Sequence, residues 1–156
     1  MQPFDRRLNA AILHIANLLF PIGFDVSADT PSTYRQLRAH LDAGNRMVVY
    51  NGGSDGTIYA DPEVNYAMRA WHDWAHYRHN NDFSVGGEAA NCAVQCAQLL
   101  ELYGDCPTTA RWCEILRAEI IGQRLYYERH KRYVNDQRAF VEAYLADPEL
   151  ALSRPH

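Results

Sequence analysis

The chain has 156 residues, 47% of them hydrophobic and 22% charged, enough to bury one core, and a single globular domain over residues 1–156 is predicted. A net charge of −4 and an isoelectric point near 5.9 give no basic footprint for nucleic acid, and the one basic aromatic segment, YYERHKRYVNDQR, reads as a solvated helix face. Cys92, Cys96, Cys106 and Cys113 form no disulfide-framework pattern, so the thiols are expected to be reduced and the protein cytoplasmic.

Near the start, the pair Arg6 and Arg7 precedes the apolar run AAILHIANLLF and loosely mimics an export signal. Asp5, His14 and Asn17 spoil the mimicry, and the run is too short to span a membrane. Phe4, Leu8, Ala11, Ile12, Ile15 and Leu19 recur instead at helical spacing, which predicts a packing helix over residues 4–20, ended by Pro21 and Gly23. A second short helix is predicted with Pro31 at its first position, Tyr34, Leu37 and Leu41 on its face and Gly44 as its stop.

The segment RMVVYNGGSDGTIYAD then changes period. Two short runs rich in Val, Ile, Thr and Tyr flank a Gly-Gly-Ser-Asp-Gly turn, the pattern of a β-hairpin. Asp61 is placed to cap a third helix with Pro62 at its first position and Val64, Met68, Trp71 and Ala75 on its apolar face, running to about Arg78. A fourth helix is expected from Glu88 to Tyr103, after a Gly-Gly corner and before Gly104. A fifth should run from Thr108 to Tyr133, and NDQRAFVEAYLAD should form a sixth, with Pro148 behind it. The expected fold class is therefore α+β, predominantly helical, with about six helices and one β-hairpin inserted before the histidine-bearing helix.

That third helix carries the chemistry. His72 and His76 are four residues apart, so their imidazoles project from one face one turn apart and can reach a single ion, with His79 one turn further on. Zinc in a hydrolytic site takes three protein ligands and keeps one position for water. Two glutamates are placed to supply the third. Glu88 opens the fourth helix, and Glu119 lies on the apolar line of Trp112, Ile115, Leu116 and Tyr126, where a carboxylate needs a partner or a metal. Gln123, one turn after Glu119, is a candidate to orient it. Cys92 and Cys96 share a helix face but are small enough to be plain core residues.

The order TIYADPEVNYAMRAWHDWAH followed by EAANCAVQCAQLL resembles the edge strand, zinc helix and ligand helix of minimal zinc metallopeptidases of the ImmA/IrrE type. The resemblance covers about residues 46–100. It implies that His72, His76 and Glu88 are the zinc ligands. Zinc is the expected ion, with manganese or iron the other candidates, and a peptide or small molecule is the expected substrate. That family has Glu directly after the first histidine as general base; this chain has Asp73, one methylene shorter, as the candidate catalytic residue.

AWHDWAH also resembles the His-Asp pair of HD-domain phosphohydrolases, which would recruit His40 and Asp105 or Asp136, although the predicted hairpin interrupts that all-helical pattern. His72, His76, Glu88 and Glu119 further resemble the ligand sets of di-iron bundles, without their paired Glu-x-x-His spacing. A non-catalytic binding protein, with the polar cluster as a structural metal site or hydrogen-bonded core, is the remaining alternative. Self-association into a homo-oligomer stays open at this level, and neither a membrane nor a nucleic-acid partner is expected.

Overall fold

The computed structural model describes residues Met1–His156, and they fall into two compact units, Met1–Phe83 and Ser84–His156. In the first unit, α1 spans Arg6–Leu19. The Asp5 carboxylate caps it by accepting from the backbone N–H groups of Arg7 and Leu8, each at 2.9 Å. Such a cap contributes about 1 kcal/mol, whereas full burial of one large apolar side chain contributes about 1.5–3 kcal/mol. Leu8, Ile12 and Ile15 are all buried, so packing against α3, Pro62–His79, decides where α1 lies.

The second helix, α2 (Tyr34–Asp42), begins later than Pro31 because Thr33 caps it. Thr33 Oγ1 accepts from Gln36 N at 3.1 Å, and the Gln36 side chain accepts from Thr33 N at 3.3 Å. This reciprocal pair satisfies two end donors that Pro31, two residues earlier, cannot help.

The expected hairpin does not form. Strand β1 (Asp25–Ser27) pairs in parallel with β2 (Val48–Tyr50), in the register Asp25 to Val48, Val26 to Val49 and Ser27 to Tyr50. Parallel strands need a crossover, and α2 supplies it. The second apolar run is used elsewhere. Ile58 and Tyr59 are each 1% exposed, their carbonyls accept from Phe4 N at 2.7 Å and Asn9 Nδ2 at 2.8 Å, and the glycine loop before them is held open by Arg69. Its guanidinium donates to the carbonyls of Tyr50 at 2.5 Å and Gly52 at 2.6 Å, so the loop cannot tighten into a hairpin turn. The fold remains α+β and predominantly helical. Leu37, Leu41, Met47, Val49 and Ala70 form a core in this unit, with Phe20, Phe24, Trp74, Tyr77 and Phe83 packed around it.

In the second unit, α4 spans Val85–Tyr103 and starts three residues before Glu88, because the Ser84 hydroxyl caps it by accepting from Gly87 N at 3.0 Å. Gly86 and Gly87 are therefore first-turn residues and not a corner. The long fifth helix is three segments: α5 (Pro107–Arg117), a π-helical turn (Ala118–Gly122) and α6 (Gln123–His130). It ends at Lys131, which adopts the left-handed conformation at φ 53°. Asp136 caps α7 (Gln137–Ala146), and Asp147 caps a further helix, α8 (Pro148–Ser153). Pro148 thus opens a helix where it was expected to close one, as its fixed φ and missing N–H permit at a first helical position.

Gly122 lies under α7: a Cβ there would meet Tyr144 Cδ2 and Cε2 at 3.0 Å and Phe140 Cε1 at 3.2 Å. Gly122→Ala is expected to lose about 1–3 kcal/mol of stability through overpacking, read as an earlier midpoint in urea unfolding. All four cysteines are free. The Cys113 thiol is pushed up to about 12 by burial and by Cys96, and Cys96 is raised by its hydrogen bond with Cys92 and by burial. Cys106 is lowered, chiefly by hydrogen bonds from Thr109, so more of it is thiolate at any pH below the ordinary thiol range. Iodoacetamide at neutral pH is expected to label Cys106 before Cys92, Cys96 or Cys113, with peptide mapping as the readout.

Candidate metal centre

The site is built on the last two turns of α3. His72 and His76 meet with ring centroids 4.6 Å apart and planes at 88°, and their Nε2 atoms are 3.1 Å apart. His76 is completely buried. Its Nδ1 lies 2.7 Å from the backbone carbonyl oxygen of Asn81. A carbonyl only accepts, so Nδ1 carries the hydrogen and Nε2 is left with its lone pair facing His72.

The chain reaches this arrangement by ending α3 with Asn80 in the left-handed conformation, φ 54°, which asparagine tolerates better than other residues with a Cβ. The next residue then folds back, and Asn81 N donates to the His76 carbonyl at 3.2 Å while the Asn81 carbonyl accepts from the ring. Phe83 closes the other side, its ring centroid 4.8 Å from that of His76 at 75°.

His72, His76 and Glu88 each offer one ligand atom, and these atoms all lie within 4.8 Å of one another. Two nitrogens bound to zinc at 2.0–2.1 Å with a tetrahedral angle are separated by about 3.3 Å, and the two Nε2 atoms stand close to that distance. Two imidazoles and one carboxylate are a donor set that zinc accepts, and three protein ligands leave a fourth position for water. The group is therefore able to hold a metal ion. Without one, His72 Nε2–H donating to the His76 lone pair accounts for the same 3.1 Å contact.

No family model, no curated protein and no solved structure matches the chain. No helix is long and apolar enough to cross a membrane.

Asp73 is half-buried on α3 and is not a member of the ligand group, nor is Glu119. The Glu119 carboxylate instead accepts from Gln137 Nε2 at 3.1 Å. Gln123 does not orient it: the Gln123 amide donates to the backbone carbonyl of Glu119 at 2.8 Å, next to the π-helical turn where the regular backbone ladder is interrupted. Tyr126 lies on the same stripe, but its hydroxyl accepts from His156 N at 3.0 Å. His79 is exposed at the end of α3. His40 Nε2 contacts the Arg46 carbonyl at 2.7 Å, Asp105 lies in the exposed turn before α5, and Asp136 is occupied as the cap of α7.

Sequence reading missed the Asn81 carbonyl, because a backbone atom leaves no mark in side-chain patterning. It also missed Asn91 and Gln95, both fully buried on α4. Their signal was present: positions 88, 91 and 95 fall on one helix face among alanines and cysteines. The tautomer can be checked directly. Long-range proton–nitrogen NMR of the metal-free protein is expected to show the His76 hydrogen on Nδ1; a hydrogen on Nε2 would contradict the Asn81 bond.

Proposed function

We propose that this protein is a metal-dependent hydrolase whose ion is held by His72, His76 and Glu88. The observation that carries the reading is the convergence of those three ligand atoms within 4.8 Å, one of them on an imidazole already fixed by a backbone carbonyl. Zinc is the favoured ion, because the donors are two imidazole nitrogens 3.1 Å apart and a carboxylate oxygen, a set that zinc accepts, with manganese and iron as the alternatives.

Bound there, a divalent cation would supply Lewis acidity, polarising a substrate carbonyl and acidifying water. The chain's own residues divide the remaining work. His76 keeps its Nδ1–H on Asn81 and so holds its Nε2 lone pair in one direction. Asp73, directly after His72, is the carboxylate that would take the proton released as water attacks. Its reach to a metal-bound water is one methylene shorter than a glutamate's. A peptide bond is the first substrate class to test, following the resemblance of residues 46–100 to small zinc metallopeptidases, and a phosphate ester is the second.

Elemental analysis of the purified protein is expected to find near-stoichiometric metal that is lost in a His72→Ala, His76→Ala double variant. Asp73→Asn should keep the metal and lose about 10²–10⁴ in the rate of cleavage of a fluorogenic peptide pool, the usual range for removing a general base. Metal retained with no Asp73-dependent turnover on peptides or phosphate esters would reduce the centre to a structural one. Absence of metal after dialysis against zinc, manganese and iron would end the reading.

A further inference from the structure

Around the turn that orients His76 stands a second set of residues that no motif marks. On α2, Tyr34, Arg38 and Asp42 fall at intervals of four and share one face. The Arg38 guanidinium lies 5.8 Å from the Tyr34 ring centroid and 5.7 Å from that of Tyr77 on α3. It donates to the Tyr34 hydroxyl at 3.1 Å, and Tyr77 in turn is anchored by donating to Asp42 Oδ1 at 2.8 Å. Held between two rings, the guanidinium also donates to the side-chain oxygen of Asn80, the left-handed residue that ends α3.

Asn80 and Asn81 are the residues that fold the chain back on His76. Both of their backbone N–H groups donate to the His76 carbonyl, and the Asn81 carbonyl takes the ring Nδ1–H. Phe83 adds a parallel route, its ring 5.7 Å from Tyr34 and 4.8 Å from His76. A fork of fixed donors stacked on aromatic rings is what arginine provides and lysine does not.

We infer that Arg38 is a positioning residue for the metal centre, fixing the Asn80–Asn81 turn and, through the Asn81 carbonyl, the orientation of His76. The inference rests on the metal-binding reading of His72, His76 and Glu88. Arg38 touches neither ion nor substrate. It acts on the affinity of the site through the turn.

The test compares the wild type with Arg38→Met, which keeps the apolar stem, and with Asn80→Gly, which keeps the left-handed turn but removes the acceptor. Zinc affinity is measured by competition with a chromophoric chelator. The His76 tautomer is followed by NMR, and the thermal midpoint of the metal-free protein is recorded. Both variants are expected to bind zinc about 10–100-fold more weakly, the usual effect of removing a group that orients a ligand, and to lose the sharp His76 Nδ1–H signal. Loss of that signal with a midpoint near wild type separates positioning from general destabilisation. If Arg38→Met fails to fold, Asn80→Gly decides alone. Wild-type affinity and an unchanged His76 signal in Asn80→Gly would overturn the inference. If the wild type binds no zinc, the metal reading fails by itself, and the His76 signal in the metal-free variants still judges the role of Arg38 in the turn.

Discussion

A buried imidazole must satisfy two nitrogens of opposite character, and in this protein the bond from His76 Nδ1 to the Asn81 carbonyl, 2.7 Å long, settles which is which. An unpaired buried polar group costs about 1–3 kcal/mol, so the bond is a strong reason for the chain to turn where it does. It also has a chemical consequence. With the hydrogen committed to Asn81, the other nitrogen holds its lone pair 3.1 Å from His72 Nε2, where it can accept a hydrogen bond from that ring or serve as one ligand atom of the group that could hold a metal ion.

In the first unit, α2 packs beside that end. The core of Leu37, Leu41, Met47, Val49 and Ala70 fixes α2 beside α3, which lets Tyr34 and Arg38 reach the 80–83 turn. The parallel pairing of β1 with β2 follows from the same geometry, since α2 is both the crossover between the strands and the support for the turn. Aromatic rings do much of the locking, with Phe20 at 5.7 Å from Trp74 and Trp74 at 5.5 Å from Tyr77. Rigid rings lose little freedom on burial relative to the area they cover.

The second unit shows a different way of burying polar groups. On α4, Asn91 and Gln95 are fully buried on the face that Glu88 begins. On the π-helical turn, Glu119 is half-buried and takes a hydrogen bond from Gln137 of α7. The sequence placed Glu119 as a candidate metal ligand with Gln123, one helical turn away, to orient it, because local spacing is what a sequence displays; the hydrogen bond that Glu119 takes comes instead from Gln137 on another helix, which only packing brings near.

The sequence by itself determined the helical character of the chain, the cap and first residue of α3 at Asp61 and Pro62, and the i, i+4 placement of His72 and His76. These are local properties, fixed by capping chemistry and by 3.6 residues per turn. It also pointed to Glu88 through its place at the start of α4. Tertiary structure alone decided that β2 pairs with β1 and not with residues 57–60, that the Asn81 carbonyl holds His76, and that Gln137 answers Glu119. Strand partners and backbone acceptors are chosen by competition among distant segments for the same hydrogen-bonding groups. Here Arg69 holding the glycine loop open, and Phe4 and Asn9 taking the carbonyls of Ile58 and Tyr59, settled a competition that composition and periodicity left undecided.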